Sequence, residues 1–281
     1  MIIRNPVAAG GFYPRSSSEL RVTIEKFMRR VGEVEKRMIL GAVAPHAGYI
    51  YCGEPQAYVY KSILENPTFV ILGPNHAGLG ASASIMTEGM WRTPMGSCRI
   101  DSEVARNILE NSEHLEEDLS AHTQEHSIEV QLPWLQYRFR DVKFVPIVLG
   151  TSDPKVFQDV GNAIKKSIEG TKTIVIASSD FTHYGDVYGY APVSGGPSNV
   201  LNYIEKVDME AAKAITDLAP ERFLEVVEKY NATICGRGAI ATMLYALKDN
   251  ALKGTLLKYS TSYDVSRDSN AVVGYCGIII E

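Results

Sequence analysis

Four apolar runs recur along this chain, at Met38–Ala44, Thr68–Leu72, Val142–Leu149 and Thr173–Ala177, and none alternates apolar with polar. A strand with one wet face alternates; a strand covered on both faces does not. Segments of helical spacing separate the runs. Ser16-Ser17-Ser18-Glu19 ahead of Leu20, Ile24, Phe27 and Met28 predicts a serine-capped amphipathic helix to about Val31. Further helices are expected at Pro55–Leu64, from Asp101 through Leu109, and at Ser127–Phe139 with a kink near Pro133. Another starts at Asp153-Pro154, and two or three more fall between about Ser198 and Lys248. Strand and helix in alternation predict an α/β fold, a mostly parallel central sheet with helices on both faces. The tail adds two strands, Leu256–Tyr263 and Val272–Ile280, around a polar turn, which predicts an antiparallel hairpin. No linker or repeat divides residues 1–281, so one domain is expected.

Bulk properties narrow the function classes. Apolar residues make up 45% and charged residues 22%, an ordinary globular balance. The net charge is −5 with basic residues scattered, which speaks against a nucleic-acid surface. No apolar run reaches the ~18 residues that span a bilayer, and Met1–Pro6 has no apolar signal core. A cytoplasmic protein is expected. Cys52, Cys98, Cys235 and Cys276 form no CxxC pair and read as free thiols, Cys98 and Cys276 as small buried hydrophobes.

The chemistry-bearing residues gather where the runs end. His46 (Ala44-Pro45-His46-Ala47-Gly48), His76 (Gly73-Pro74-Asn75-His76-Ala77-Gly78) and His183 (Asp180-Phe181-Thr182-His183-Tyr184-Gly185) each follow a strand and are bracketed by Gly or Pro. Ligands of open α/β sheets sit beyond the strands' carboxyl ends. His46 and His76 lie one strand–helix–strand unit apart, so two imidazoles converging there suit a transition metal; alone, each ring can equally cap a strand exit. Cys235 is read at a helix N-terminus beside Arg237, where dipole and cation favour thiolate, a metal ligand or a nucleophile. Asp180, three residues before His183, is read as orienting that ring as a general base. His126 and Glu129 are also three apart, on one face if their segment is helical. The glycine-rich stretch Gly185–Ser198 reads as a surface loop and candidate lid, and Tyr188 and Tyr190 within it as interface aromatics of a homo-oligomer.

Taken in order, these blocks resemble the Memo family nearly end to end. The likeness runs through Asn5–Pro14, Pro45–Tyr51, Gly73-Pro74-Asn75-His76, Glu125–Pro133, Ser178–Gly185 and Cys235-Gly236. The resemblance implies a fold like the class III extradiol dioxygenases, which use non-haem iron. It also implies that His46, His76 and Cys235 bind the metal, with Asp180 and His183 beside it. Those dioxygenases hold iron with two histidines and a carboxylate. Here Cys235 stands for the carboxylate, a softer donor that widens the choice towards copper or zinc, so dioxygenase activity does not follow from fold likeness.

Three functions are consistent with this pattern. The leading one is a metal-dependent redox or oxygen-reactive protein acting on a small molecule or peptide, with Asp180, His183, His126 and Glu129 as catalytic candidates. The second is a metal-independent hydrolase with a Cys235–His183–Asp180 triad. The third is a phosphopeptide-binding module using Arg237 and Arg92, a role that the resemblance suggests for eukaryotic members.

Overall fold

Strand Thr68–Pro74 pairs in parallel with Lys143–Leu149 on one side and Thr173–Ser178 on the other, in a computed structural model that describes residues 2–281. Gly41–Ala44 extends the parallel run beside Thr173–Ser178. These four strands are buried almost throughout, which is why their sequences do not alternate. Met38, the first residue of its apolar run, stands exposed ahead of the strand. Among the described residues the full sheet has twelve strands. The closing hairpin forms as expected: Val272–Ile280 runs antiparallel both to Gly254–Thr261 and to Gly41–Ala44. The far flank is a second hairpin, Met90–Thr93 with Gly96–Ile100, which the apolar pattern does not announce.

Two crossovers run in opposite directions along this sheet. Helix Tyr49–Ser62 carries the chain from Gly41–Ala44 to Thr68–Pro74, and helix Pro154–Ile168 carries it from Lys143–Leu149 to Thr173–Ser178. Right-handed connections therefore place them on opposite faces. The second packs against helix Arg237–Leu247, which lies over Thr68–Pro74 and Thr173–Ser178. The fold is thus one α/β unit with helices on both sides of a mostly parallel sheet. Gly41–Ala44, Thr173–Ser178 and Thr68–Pro74 are adjacent and parallel, so their carboxyl ends open side by side.

Local expectations hold at the caps and fail where burial overrides propensity. Helix Ser17–Arg30 is capped by Ser16, and Pro154–Ile168 by Asp153, whose side chain accepts from the Lys155 N–H at 2.9 Å. The helix expected from Pro55 begins at Tyr49 and keeps Pro55 inside it, because Cys52, Gln56, Val59 and Tyr60 all bury their side chains along it. The helix expected over Ser127–Phe139 splits into a 3₁₀ turn, Glu129–Gln131, and a short α-helix, Leu132–Arg138, with Pro133 in its first turn. No helix of the described residues is long and apolar enough to cross a membrane.

Candidate metal centre

His46 leaves the sheet directly after Gly41–Ala44 and is 2% exposed. Its backbone N–H donates to Asp180 Oδ1 at 2.8 Å, and that of Ala47 donates to the same oxygen at 3.2 Å. Its Nδ1 faces Ser178 Oγ at 3.1 Å, so Nε2 is the nitrogen left for the cavity. His76 is held in the same way by a different residue. Glu125 accepts from the His76 backbone N–H at 2.7 Å and meets its Nδ1 at 2.9 Å, again freeing Nε2. A ligating histidine is commonly fixed through its other ring nitrogen in this manner.

His126 completes a trio. Its ring stacks on His76 with centroids 4.6 Å apart, on Phe12 at 4.2 Å, and meets His46 edge-on at 5.4 Å. His46, His76 and His126 offer ligand nitrogens that all lie within 4.8 Å of one another, and His46, Asp180 and Cys235 form a second such trio. Cys235 Sγ stands 3.1 Å from His46 Nε2. His46 thus belongs to both trios, while His76 and Cys235 fall in different ones.

The charges follow from burial and neighbours. Burial, then the His76 charge, holds His46 well below the usual imidazole range, and burial with His46 takes His126 down to about 4. Glu125 behaves oppositely: burial opposes its ionisation, yet its hydrogen bonds to His76 and the Ser127 N–H bring it to about 2. The same contact outweighs burial at His76 and raises it. Burial raises Asp180.

Several sequence expectations need correction. Cys235 does not open the helix, which runs Arg237–Leu247 behind a Gly236 cap. Burial, then the negative charge of Asp180, pushes its thiol well above the ordinary range, so the protein alone favours thiol over thiolate. Arg237 turns to Ser152 Oγ at 2.7 Å. His183 is oriented by the Phe181 and Thr233 carbonyls, 2.9 and 3.0 Å from Nδ1, while the Asp180 carboxylate braces the His46 loop instead. The expected Cys235–His183–Asp180 triad is therefore not assembled; the ring beside the sulfur is His46, and both members of that pair are held neutral. Glu129 stays out of the cluster. Its carboxylate accepts from the Val7 and Ala8 N–H groups at 2.8 and 2.9 Å, from the Tyr13 hydroxyl, and pairs with the Arg4 guanidinium. His126 lies in non-helical backbone ahead of the 3₁₀ turn Glu129–Gln131, so the two residues share no helical face.

A cavity of about 580 Å³ opens over His46, His76, His126, Asp180 and His183. Among its lining residues there is no lysine or arginine, and Arg92 sits at the sheet edge near Asn5. The loop after His183 contributes Tyr188, whose ring meets His183 edge-on at 5.2 Å. Tyr190 is buried, with its hydroxyl on the Tyr230 carbonyl at 2.7 Å, and so offers no interface. Sequence reasoning overlooked Glu125 and Ser178. The one available signal was a carboxylate directly before His126.

Comparison with known proteins finds relatives over the whole chain. A family of Memo-like proteins matches residues 4–279. A MEMO1 family protein of Pyrococcus abyssi is 41% identical over 290 residues, covering 99% of each chain. Another, of Methanopyrus kandleri, is 41% identical over 291 residues and 98% of each. A third, of Methanosarcina mazei, is 39% identical over 285 residues and the full length of both. With so complete a match, the chain belongs to the Memo family.

Proposed function

We propose that the cavity is a redox metal centre in which His46 and His76 hold an iron ion, with Cys235 as sulfur donor and His126 as the neighbouring fourth ligand. Copper or zinc would suit the same mixed nitrogen and sulfur set. The observation that carries this reading is the paired ring anchoring: Ser178 and Glu125 occupy one nitrogen each of His46 and His76, leaving the other to the cavity. The donor set fits a transition metal, since Cys235 Sγ stands 3.1 Å from His46 Nε2 and the His46, His76 and His126 nitrogens lie within 4.8 Å of one another. A bound iron or copper ion would supply one-electron chemistry and Lewis acidity.

The protein's own residues do the rest. Asp180 fixes the His46 loop through two backbone N–H groups. His183 presents Nε2 as a proton acceptor, because its Nδ1 proton is shared between two carbonyls. Cys235 would hold the ion as a thiolate, releasing its proton on binding. Phe12 shields the His126 face from water.

Elemental analysis of protein purified without an affinity tag tests the reading. Near-stoichiometric iron or copper is expected, falling sharply in His46→Ala and His76→Ala. Full occupancy in Cys235→Ala would remove the sulfur from the ligand set, and full occupancy in His46→Ala would end the proposal.

A further inference from the structure

Tyr275 is 2% exposed, yet it lines the cavity, and its hydroxyl makes no hydrogen bond among the described residues. Other tyrosine hydroxyls are taken up by protein partners: Tyr49 donates to the Val130 carbonyl at 2.7 Å, Tyr60 to Gln131 Oε1 at 2.6 Å, and Tyr259 to Asp208 Oδ2 at 3.0 Å. The hydroxyl of Tyr275 is left facing the space where a ligand would sit.

The sheet register says what shares that space. His183 pairs directly with Val273 across an antiparallel ladder, and Tyr275 lies two residues beyond Val273 on the same face. Diagonal cross-strand neighbours of this kind stand ~7–8 Å apart. Both side chains line the same cavity, so a ligand oxygen seated there can meet both polar groups. Tyr275 has a proton to donate, and the His183 ring can accept at Nε2, because Nδ1 faces two carbonyls.

We propose that Tyr275 is a specificity-determining residue of this cavity and that, with His183, it selects a ligand carrying a free hydroxyl group. Tyr275 donates to the ligand oxygen while the ligand's own O–H donates to His183. A methyl ether loses the second bond, and a carboxylate has no proton to offer His183. The inference rests on the cavity being the working site, and not on which metal it holds.

The test titrates zinc-loaded protein with phenol, cyclohexanol and anisole by calorimetry. At least one hydroxyl probe is expected to bind ~3–10-fold more tightly than anisole, and the ranking of the two separates an aromatic from an aliphatic ligand. His183→Phe is expected to erase that advantage while leaving zinc content and anisole binding unchanged, because the ether makes no bond to His183. Tyr275→Phe should leave zinc content unchanged but weaken hydroxyl and ether probes alike, because Tyr275 donates to the oxygen of both. Equal binding of hydroxyl and ether probes overturns the proposal, as do no binding of any probe, unchanged affinity in Tyr275→Phe, or an undiminished hydroxyl advantage in His183→Phe. Should Tyr275→Phe fold poorly, His183→Phe against the probe series decides alone. Protein that holds zinc but discriminates no probe sinks hydroxyl selection and spares the metal reading; discrimination without any metal uptake does the reverse.

Discussion

Glu129 shows how far a residue's role depends on backbone geometry a few positions away. Three residues after His126, it would share the face of that ring on a continuous helix, but His126 lies in non-helical backbone ahead of the 3₁₀ turn, and the carboxylate goes to Arg4, Tyr13 and the Val7–Ala8 backbone. Removing one partner of a buried ion pair strands the other, which typically destabilises by ~3–5 kcal/mol. Glu129→Gln is therefore expected to lower the denaturant midpoint markedly while metal content per folded molecule stays unchanged. Loss of metal with normal stability would return Glu129 to the site. His46 and His76 were legible because Gly and Pro bracket them at strand exits. The role of Glu125 was not, since it acts on the backbone and ring of a residue 49 positions away.

At the scale of elements, the segment Thr233–Gly236 is what brings sulfur to the cluster. Thr233 Oγ1 accepts from the His183 N–H at 2.8 Å and donates to the His183 carbonyl at 2.7 Å, so the two strand-exit loops are stapled together. Gly236 then passes so close to Ser178 and Ser179 that a β-carbon would strike their atoms, including the Ser178 backbone carbonyl. Gly236→Ala must displace the turn that carries Cys235. The expected result is a ~10–100-fold loss in zinc affinity, read by competition with a chromophoric chelator, with only a small change in melting temperature. Unchanged affinity would mean that the turn does not position a ligand. Sequence spacing marked Cys235 as special but assigned it the wrong local field. The helix begins two residues later, and the surrounding protein together with Asp180 outweighs any help from the dipole.

Across the whole molecule, Asp208 ties three layers together. From helix Pro197–Thr216 it accepts from the Thr182 N–H at 3.1 Å and from the Tyr259 hydroxyl at 3.0 Å, joining the helix to the His183 strand exit and the closing hairpin. Burial lifts its carboxyl to about 7, well above the ordinary value of ~3.9. The folded state therefore binds a proton that the unfolded chain has released, so this group's contribution is fully present below roughly pH 4 and fades as pH rises through about 7. Asp208→Asn is expected to flatten stability across that interval, removing a slope worth up to ~4 kcal/mol. A variant that keeps the wild-type slope in urea titrations would show that Asp208 does not titrate there. The parallel core was readable because a doubly covered strand cannot alternate. The edge hairpin Met90–Thr93 with Gly96–Ile100 was not, because its short strands mix exposed and buried positions without a long apolar run.

Val272–Ile280 follows every candidate donor in chain order, yet it supplies Val273 and Tyr275 to the wall of the cavity. During synthesis, the imidazoles and the thiol emerge before the chamber that shelters them exists. An ion captured at that stage would be fully open to solvent and exchangeable, and docking of this last strand adds one wall to a loose chelating surface.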